Sequence, residues 1–339
     1  MQTSGHLAEV EEPQISARRI FNLIASELIS VEAEFERQAQ SNIQVIAYLG
    51  DYLRASGGKR VRPALTILSN YAVGGDGAGP GSIRMATVME FLHTATLVHD
   101  DIIDNAETRR NRPSINCRFG NQTAVLMGDW LYMSAFETSL GERSLPVLDV
   151  LTAATRKMTE GELLQLTMLG KTEISEAEYL EILQRKTAYL FSACCEIGAI
   201  MGGADAFQQE SLRQYGMNLG TAFQLIDDLL DFTASDEALG KPAGVDLVEG
   251  KLTLPLIYFL EIEPESRPMV EAVMFEGGYQ GISREALRER VELSGALDRA
   301  RHRASRYAAA ARDALAALPS SAYCDALQAI PTYIIERDN

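Results

Sequence analysis

Apolar residues recur along this chain at helical intervals. Ile20, Leu23, Ile24, Leu28, Val31 and Phe35 follow steps of three and four, which draws one apolar stripe along a helix over 20–38. Segment 42–55 repeats the pattern and stops at Gly57-Gly58. A glycine-rich loop covers 74–81, and Ser82 is placed to cap a helix that runs through 100–104. Asn111-Arg112-Pro113-Ser114 interrupts the chain. Beyond it, helices are predicted over 118–141, 146–170, 175–201, 205–235, 251–262, 283–294 and 296–317. No segment alternates in the manner of a strand, no linker is long enough to divide domains, and no long repeat occurs. The pattern predicts a single all-α domain over 16–339, preceded by a disordered stretch over 1–15.

Composition narrows the class. With 46% hydrophobic and 23% charged residues, the chain reads as an ordinary globular protein. It has no apolar run long enough for a transmembrane helix, and 1–14 are too polar for a signal-peptide core. Cys117, Cys194, Cys195 and Cys324 show neither zinc spacing nor a disulfide framework, which fits a reducing cytoplasm. A net charge of −16 argues against nucleic acid as a partner. It also means that any anionic substrate must be captured by local cations or metal ions.

Two acidic clusters share one spacing: Asp100-Asp101-Ile102-Ile103-Asp104 and Asp227-Asp228-Leu229-Leu230-Asp231. On a helix, the first and third carboxylates of each stack one above the other. Three Asp in fixed places arise by chance about once in several thousand windows, so two copies with apolar flanks are not a solvated acidic face. Carboxylates set among Leu and Ile need cations beside them. Oxygen-only donors of this kind suit Mg²⁺ together with substrate phosphates. Two facing clusters would clamp a diphosphate.

The cations that this charge balance demands are present. Gly57-Gly58-Lys59-Arg60-Val61-Arg62-Pro63 joins flexible glycines, three cations and a helix start, a combination suited to an anion. Arg109-Arg110 follows the first cluster by five residues, so it stands just past the acidic turns. Lys186-Thr187 lies in an apolar helix, Gly240-Lys241 and Lys251 sit in a charged loop, and Gln224 shares a face with Asp227. Each of these alone is more often a surface or structural residue.

Together, Gly57 to Pro63, His93, Asp100 to Arg110, Lys186-Thr187, Phe223 to Asp231 and Gly240-Lys241 resemble the trans-type polyprenyl diphosphate synthases, over a span reaching Lys251 and on to the C-terminus. The resemblance implies a large helical bundle of the isoprenoid synthase type around a deep central cavity, three Mg²⁺ ions and a homodimer. It implies head-to-tail condensation of isopentenyl diphosphate with an allylic diphosphate, with a possible peripheral membrane contact for product release. Carried over by position, Asp100, Asp101, Asp104 and Asp227 would hold the metal, with Asp228 and Asp231 supporting it. Arg109, Lys186, Gln224 and Lys241 would bind the allylic diphosphate, and Lys59, Arg62, His93 and Arg110 isopentenyl diphosphate. Thr187 and Gln224 would assist the reaction at its centre. Asn111 departs from the family, which has Gly after the Arg pair.

The resemblance is nearest to long-chain, octaprenyl-forming members, through His93 to His99, Glu160 to Leu166 and Leu219 to Phe223. Product length is expected to follow from Leu92, Ala95 and Thr96, taken to lie on the face of Asp100, with Phe136 as a candidate floor. Small residues at 95 and 96 leave the path open. Shorter, farnesyl- or geranylgeranyl-forming synthases are the alternative. Two other classes compete: a class I terpene cyclase, which would lack the basic segment at 57–62, and a non-catalytic partner subunit, which would lose the acidic clusters.

Overall fold

The computed structural model describes residues 17–40, 43, 45–48, 60–109, 112–234 and 243–336. The first apolar stripe forms two helices, α1 (Ala17–Leu23) and α2 (Ala25–Gln38), because the chain leaves helical geometry at the fully buried Ile24. Helix α3 (Val61–Ala72) begins after Arg60, whose φ of 47° is left-handed. That strained conformation is held by an ion-pair pincer: Arg60 donates to Glu90 Oε1 at 2.6 Å and to both carboxylate oxygens of Glu32.

The centre of the molecule is α4 (Pro80–Ile103). From Ser82 to Leu92 every residue but Arg84 is buried, so the helix carries no amphipathic stripe and must be surrounded by other helices. Its cap differs from the sequence expectation. Gly79 is the N-cap and Pro80 opens the helix, where its missing N–H costs nothing. Ser82 instead lies in the first turn, where its hydroxyl donates to Asp76 O and accepts from Asn70 Nδ2.

Against α4 pack α2, α3, α5 (Asn121–Leu140) and α8 (Tyr189–Met201), and α6 (Leu145–Met168), α7 (Glu176–Leu183) and α9 (Ala206–Thr233) extend the bundle from there. Ser175 and Asp205 open α7 and α9 with reciprocal capping boxes to Glu178 and Gln208. Residues without a side chain set the closest approaches. A Cβ at Gly128 of α5 would lie 2.2 Å from His99 Nε2, and one at Gly198 of α8 would lie 2.3 Å from Thr66 O. Later helices include α10 (Leu254–Ile262), α11 (Ala296–Ala314) and α12 (Ala322–Glu336). A single buried apolar cluster joins them all.

Three further features depart from the sequence expectation. Helices Arg267–Glu276 and α12 form where none is predicted, the second with Pro331 inside it. Thr108–Arg109 pairs antiparallel with Arg112–Pro113, a two-residue ladder too short to show alternation. Finally, the run from 176 to 201 is continuous but contains a π-helical turn at Gln184–Ala188, between α7 and α8. No helix among the described residues is long and apolar enough to cross a membrane.

Candidate active site

One cavity of about 1400 Å³ penetrates the bundle. The elements that carried chemistry in the sequence converge on it. Asp100 comes from the last turn of α4, Asp227 from α9, Lys186 and Thr187 from the π turn, Arg62 from α3 and Arg109 from the loop after α4. His93 and Gln224 also line it. Apolar residues complete the lining, with Tyr132, Met133 and Phe136 of α5, Leu163 and Leu166 of α6, and Ile330 and Ile334 of α12. Charged and apolar side chains thus share one cavity.

The two acidic clusters divide their labour. In the first, only Asp100 lines the cavity. Asp101 is almost fully buried behind it, and its Oδ1 accepts Nε and Nη2 of Arg109, both at 2.7 Å. Asp104 caps α4 and lies 3.3 Å from Lys251 Nζ, which also pairs with Glu249 at 2.7 Å. In the second, Asp227 lines the cavity, while Asp228 and Asp231 point into the protein. Asp228 accepts from Tyr179 OH at 2.5 Å and from Gln224 Nε2 at 2.8 Å. Asp231 accepts the backbone N–H of Asp246 at 3.2 Å, anchoring the segment that leads to Lys251.

Burial governs the charges. Desolvation pushes the Asp100 carboxyl up to about 7, helped by Glu162 and Asp104 and opposed by Lys186 and Arg109. Burial also raises Asp101, with Arg109 pulling it back, and lifts Asp228 to about 6. Burial alone would lower Lys186, but Asp100 and Glu162 outweigh it and raise the ammonium. Lys186 Nζ lies 2.9 Å from Glu162. The cavity therefore holds a carboxylate whose charged form burial disfavours and an ammonium partnered by a carboxylate.

The π turn is what points Lys186 and Thr187 inward, and Gly161 of α6 permits it. A Cβ there would fall 2.8 Å from both Lys186 N and Arg185 Cβ. Widened turns of this kind are frequent at functional sites. Thr187 Oγ1 donates to Gln224 Oε1 at 2.9 Å, so the two residues expected to act together are in contact. The loop that carries Arg109 is fastened by Ser114 Oγ donating to Ala106 O at 2.6 Å and by Asn116 Nδ2 donating to Asp101 O at 3.2 Å.

Two of the expected length-determining residues stand elsewhere. Thr96 and Phe136 line the cavity, but Leu92 and Ala95 are fully buried and do not. At 3.6 residues per turn, Leu92 and Ala95 fall roughly 80° and 140° around the helix from Asp100, whereas Thr96 and His93 fall within roughly 40°. Lys59, Arg110, Asn111, Lys241 and Arg337 lie outside the described residues.

Sequence reasoning missed Glu162 and Tyr179. Glu162 sits four residues before Leu166 in an amphipathic helix and reads as a solvated face. Tyr179 precedes Lys186 by seven residues, on the same helical face, but reads as core. Both acquire their meaning only from partners on another helix.

The polyprenyl synthetase family model matches residues 43–286. The octaprenyl diphosphate synthase of Escherichia coli is 39% identical over 327 residues, which cover 96% of this chain and 100% of that one. A short chain isoprenyl diphosphate synthase of Methanothermobacter thermautotrophicus is 35% identical over 310 residues, covering 89% and 94%. Overall identity therefore does not separate long from short products. A solved polyprenyl synthase of Caulobacter crescentus, complexed with calcium and isoprenyl diphosphate, superimposes with a TM-score of 0.90 at 37% identity, covering 97% of this chain and 100% of that one. With its paired acidic clusters facing one deep cavity in an all-α bundle, the chain belongs to the polyprenyl synthetase family and is a trans-prenyltransferase.

Proposed function

We propose that this cavity condenses isopentenyl diphosphate head-to-tail with an allylic diphosphate to build a long-chain, all-trans polyprenyl diphosphate, with octaprenyl as the expected product. One observation carries the reading. A carboxylate from each acidic cluster, Asp100 and Asp227, faces the same cavity as Arg62, His93, Arg109 and Lys186, and apolar side chains complete its lining.

No three acidic, His or Cys side chains are preassembled for a metal among the described residues, so a hard cation held by carboxylates here would take its remaining oxygens from substrate phosphates and water. Asp100 is a largely desolvated carboxylate whose pKa burial has raised, so a nearby cation would restore its charged form. Its carboxylate oxygens suit Mg²⁺ better than a softer metal. Asp100, Asp104 and Asp227 would hold the metal, three ions in the pattern that the resemblance implies. Bound Mg²⁺ would draw negative charge onto the leaving diphosphate.

The chain's own residues supply the rest. Arg109, Lys186 and Gln224 hold the allylic diphosphate, with Lys241 on the loop beyond. Lys186 exchanges Glu162 for a phosphate oxygen. Arg62 and His93 hold isopentenyl diphosphate, with Lys59 and Arg110 beside them. Binding both substrates in one cavity orients the reacting carbons toward each other. The apolar walls exclude water, so the electron-poor allylic carbon meets the isopentenyl double bond rather than hydrolysing. Released diphosphate takes the proton, next to Thr187 and Gln224. The growing tail passes Thr96 toward Phe136.

A homodimer is part of the proposal. Leu126 and Met133 on α5, and Leu163 and Leu166 on α6, are large apolar residues left exposed. Three of these four also line the cavity, so a second copy laid on that face would seal the tail's surroundings.

The test is direct. Purified protein receives labelled isopentenyl diphosphate, one of three primers (dimethylallyl, geranyl or farnesyl diphosphate) and Mg²⁺, and products are separated by chromatography after removal of the diphosphate. Incorporation into a ladder ending near eight units supports the reading, and a chelator should abolish it. A cyclic hydrocarbon formed without isopentenyl diphosphate would replace it with a cyclase, and elongation only in the presence of another subunit would replace it with a partner protein.

A further inference from the structure

A chain of hydrogen bonds leaves the cavity wall and ends on a buried phenol that no part of the condensation requires. Thr187 Oγ1 donates to Gln224 Oε1 at 2.9 Å, Gln224 Nε2 donates to Asp228 Oδ1 at 2.8 Å, and Tyr179 OH donates to Asp228 Oδ2 at 2.5 Å. The four residues come from α7, the π turn and α9, so the chain exists only in the folded protein. Tyr179 and Asp228 are both buried, and with Thr187 and Gln224 they line a second, smaller cavity of about 170 Å³.

With Asp228 ionised, each link has one polarity. An ionised carboxylate only accepts, so both its partners must donate. Gln224 must then turn its NH₂ toward Asp228, which leaves its carbonyl facing Thr187. The single hydroxyl proton of Thr187 is spent on that carbonyl, and its lone pairs remain for the cavity. The two orientations of a Gln amide are nearly identical in shape, so only the anchored carboxylate distinguishes them. The carboxylate in turn is held in one rotation because separate donors engage its two oxygens.

We propose that Tyr179 is a positioning residue: by fixing Asp228 it sets the amide of Gln224, and through it makes the Thr187 hydroxyl an acceptor toward the reacting carbons. The Thr187 oxygen then presents electron density where positive charge develops, rather than a proton. The inference rests on the functional reading above.

A double-mutant cycle tests it, because residues that act as one unit are not additive. Steady-state elongation is measured for Thr187→Val, Thr187→Ser, Tyr179→Phe and the pair Tyr179→Phe/Thr187→Val, with thermal unfolding of each. Thr187→Val is expected to lower kcat about tenfold or more with KM little changed, and Thr187→Ser to restore most of it. Tyr179→Phe should lower kcat by about fivefold at unchanged KM, yet add nothing when Thr187→Val is already present. If the pair loses the product of the two single effects, Tyr179 acts elsewhere and the inference falls. It also falls if Tyr179→Phe raises KM for the allylic substrate at constant kcat. Should Tyr179→Phe unfold, Gln224→Met cuts the same chain at its middle and must match Thr187→Val in kcat, or the inference falls. A wild-type protein that incorporates no isopentenyl diphosphate would fail the functional reading instead.

Discussion

Placing an aromatic ring at position 96 separates two pictures of the cavity. Thr96 stands one turn below Asp100, about 6 Å along α4, and lines the cavity. At about 30 Å³ per heavy atom, the value for a water in the liquid, a five-carbon unit needs roughly 150 Å³ and two diphosphates roughly 540 Å³. The cavity of about 1400 Å³ therefore holds both diphosphates and on the order of six units, or about nine if the tail alone is counted. Thr96→Tyr adds five heavy atoms, again roughly 150 Å³. If volume alone set the product, the change would shorten it by one unit. If the tail is threaded past residue 96, a ring there cuts off everything deeper, and products collapse to about three or four units. Chromatography of dephosphorylated products from Thr96→Tyr decides, with thermal unfolding as a check on folding. A product one unit shorter, or unchanged, in a folded variant would refute the threaded channel.

Three further outcomes follow from the site. Asp100 has a folded pKa of about 7, above its ordinary 3.8, so the native state binds the extra proton and loses stability as pH rises from about 4 to about 7. In chelator-treated protein, Asp100→Asn should remove that loss, which amounts at most to roughly 4 kcal/mol, and be inactive yet more heat-resistant at pH 8; equal melting curves would contradict the assigned shift. Arg109→Ala strands the buried Asp101 and should cost about 3 kcal/mol in chemical denaturation, in addition to weakening diphosphate binding. Gly161→Ala forces a methyl against the backbone of the π turn and should cost about 1–3 kcal/mol while lowering activity through displaced Lys186 and Thr187. A fully active Gly161→Ala enzyme would show that the turn tolerates the shift.

Much of the architecture was legible in the chain. The capped helices after Ser175 and Asp205 start within a residue of where periodicity placed them, because their signals are local: a side chain, its own backbone and a partner three residues on. Local signals failed where tertiary contacts override them. Ile24 breaks a stripe that spacing alone would continue, and α12 tolerates Pro331 because its other residues pack against α3, α9 and α11. The failure at Ala95 is of another kind. Its distance from Asp100 along the helix was right, but its angle around the helix put it in the core.

By itself, the sequence determined an all-α chain with two acidic clusters and a set of cations, since spacing, composition and capping depend on neighbours along the chain. Which carboxylate of each cluster meets the cavity, and which is consumed by Arg109, Lys251, Tyr179 or a backbone amide, depended on helices brought together from far apart. The same holds for the Glu162–Lys186 pair and for the polarity of the Thr187 hydroxyl. Burial and partner choice are properties of packing, and they turned six equivalent aspartates into two that line the cavity and four that are engaged by other groups of the protein.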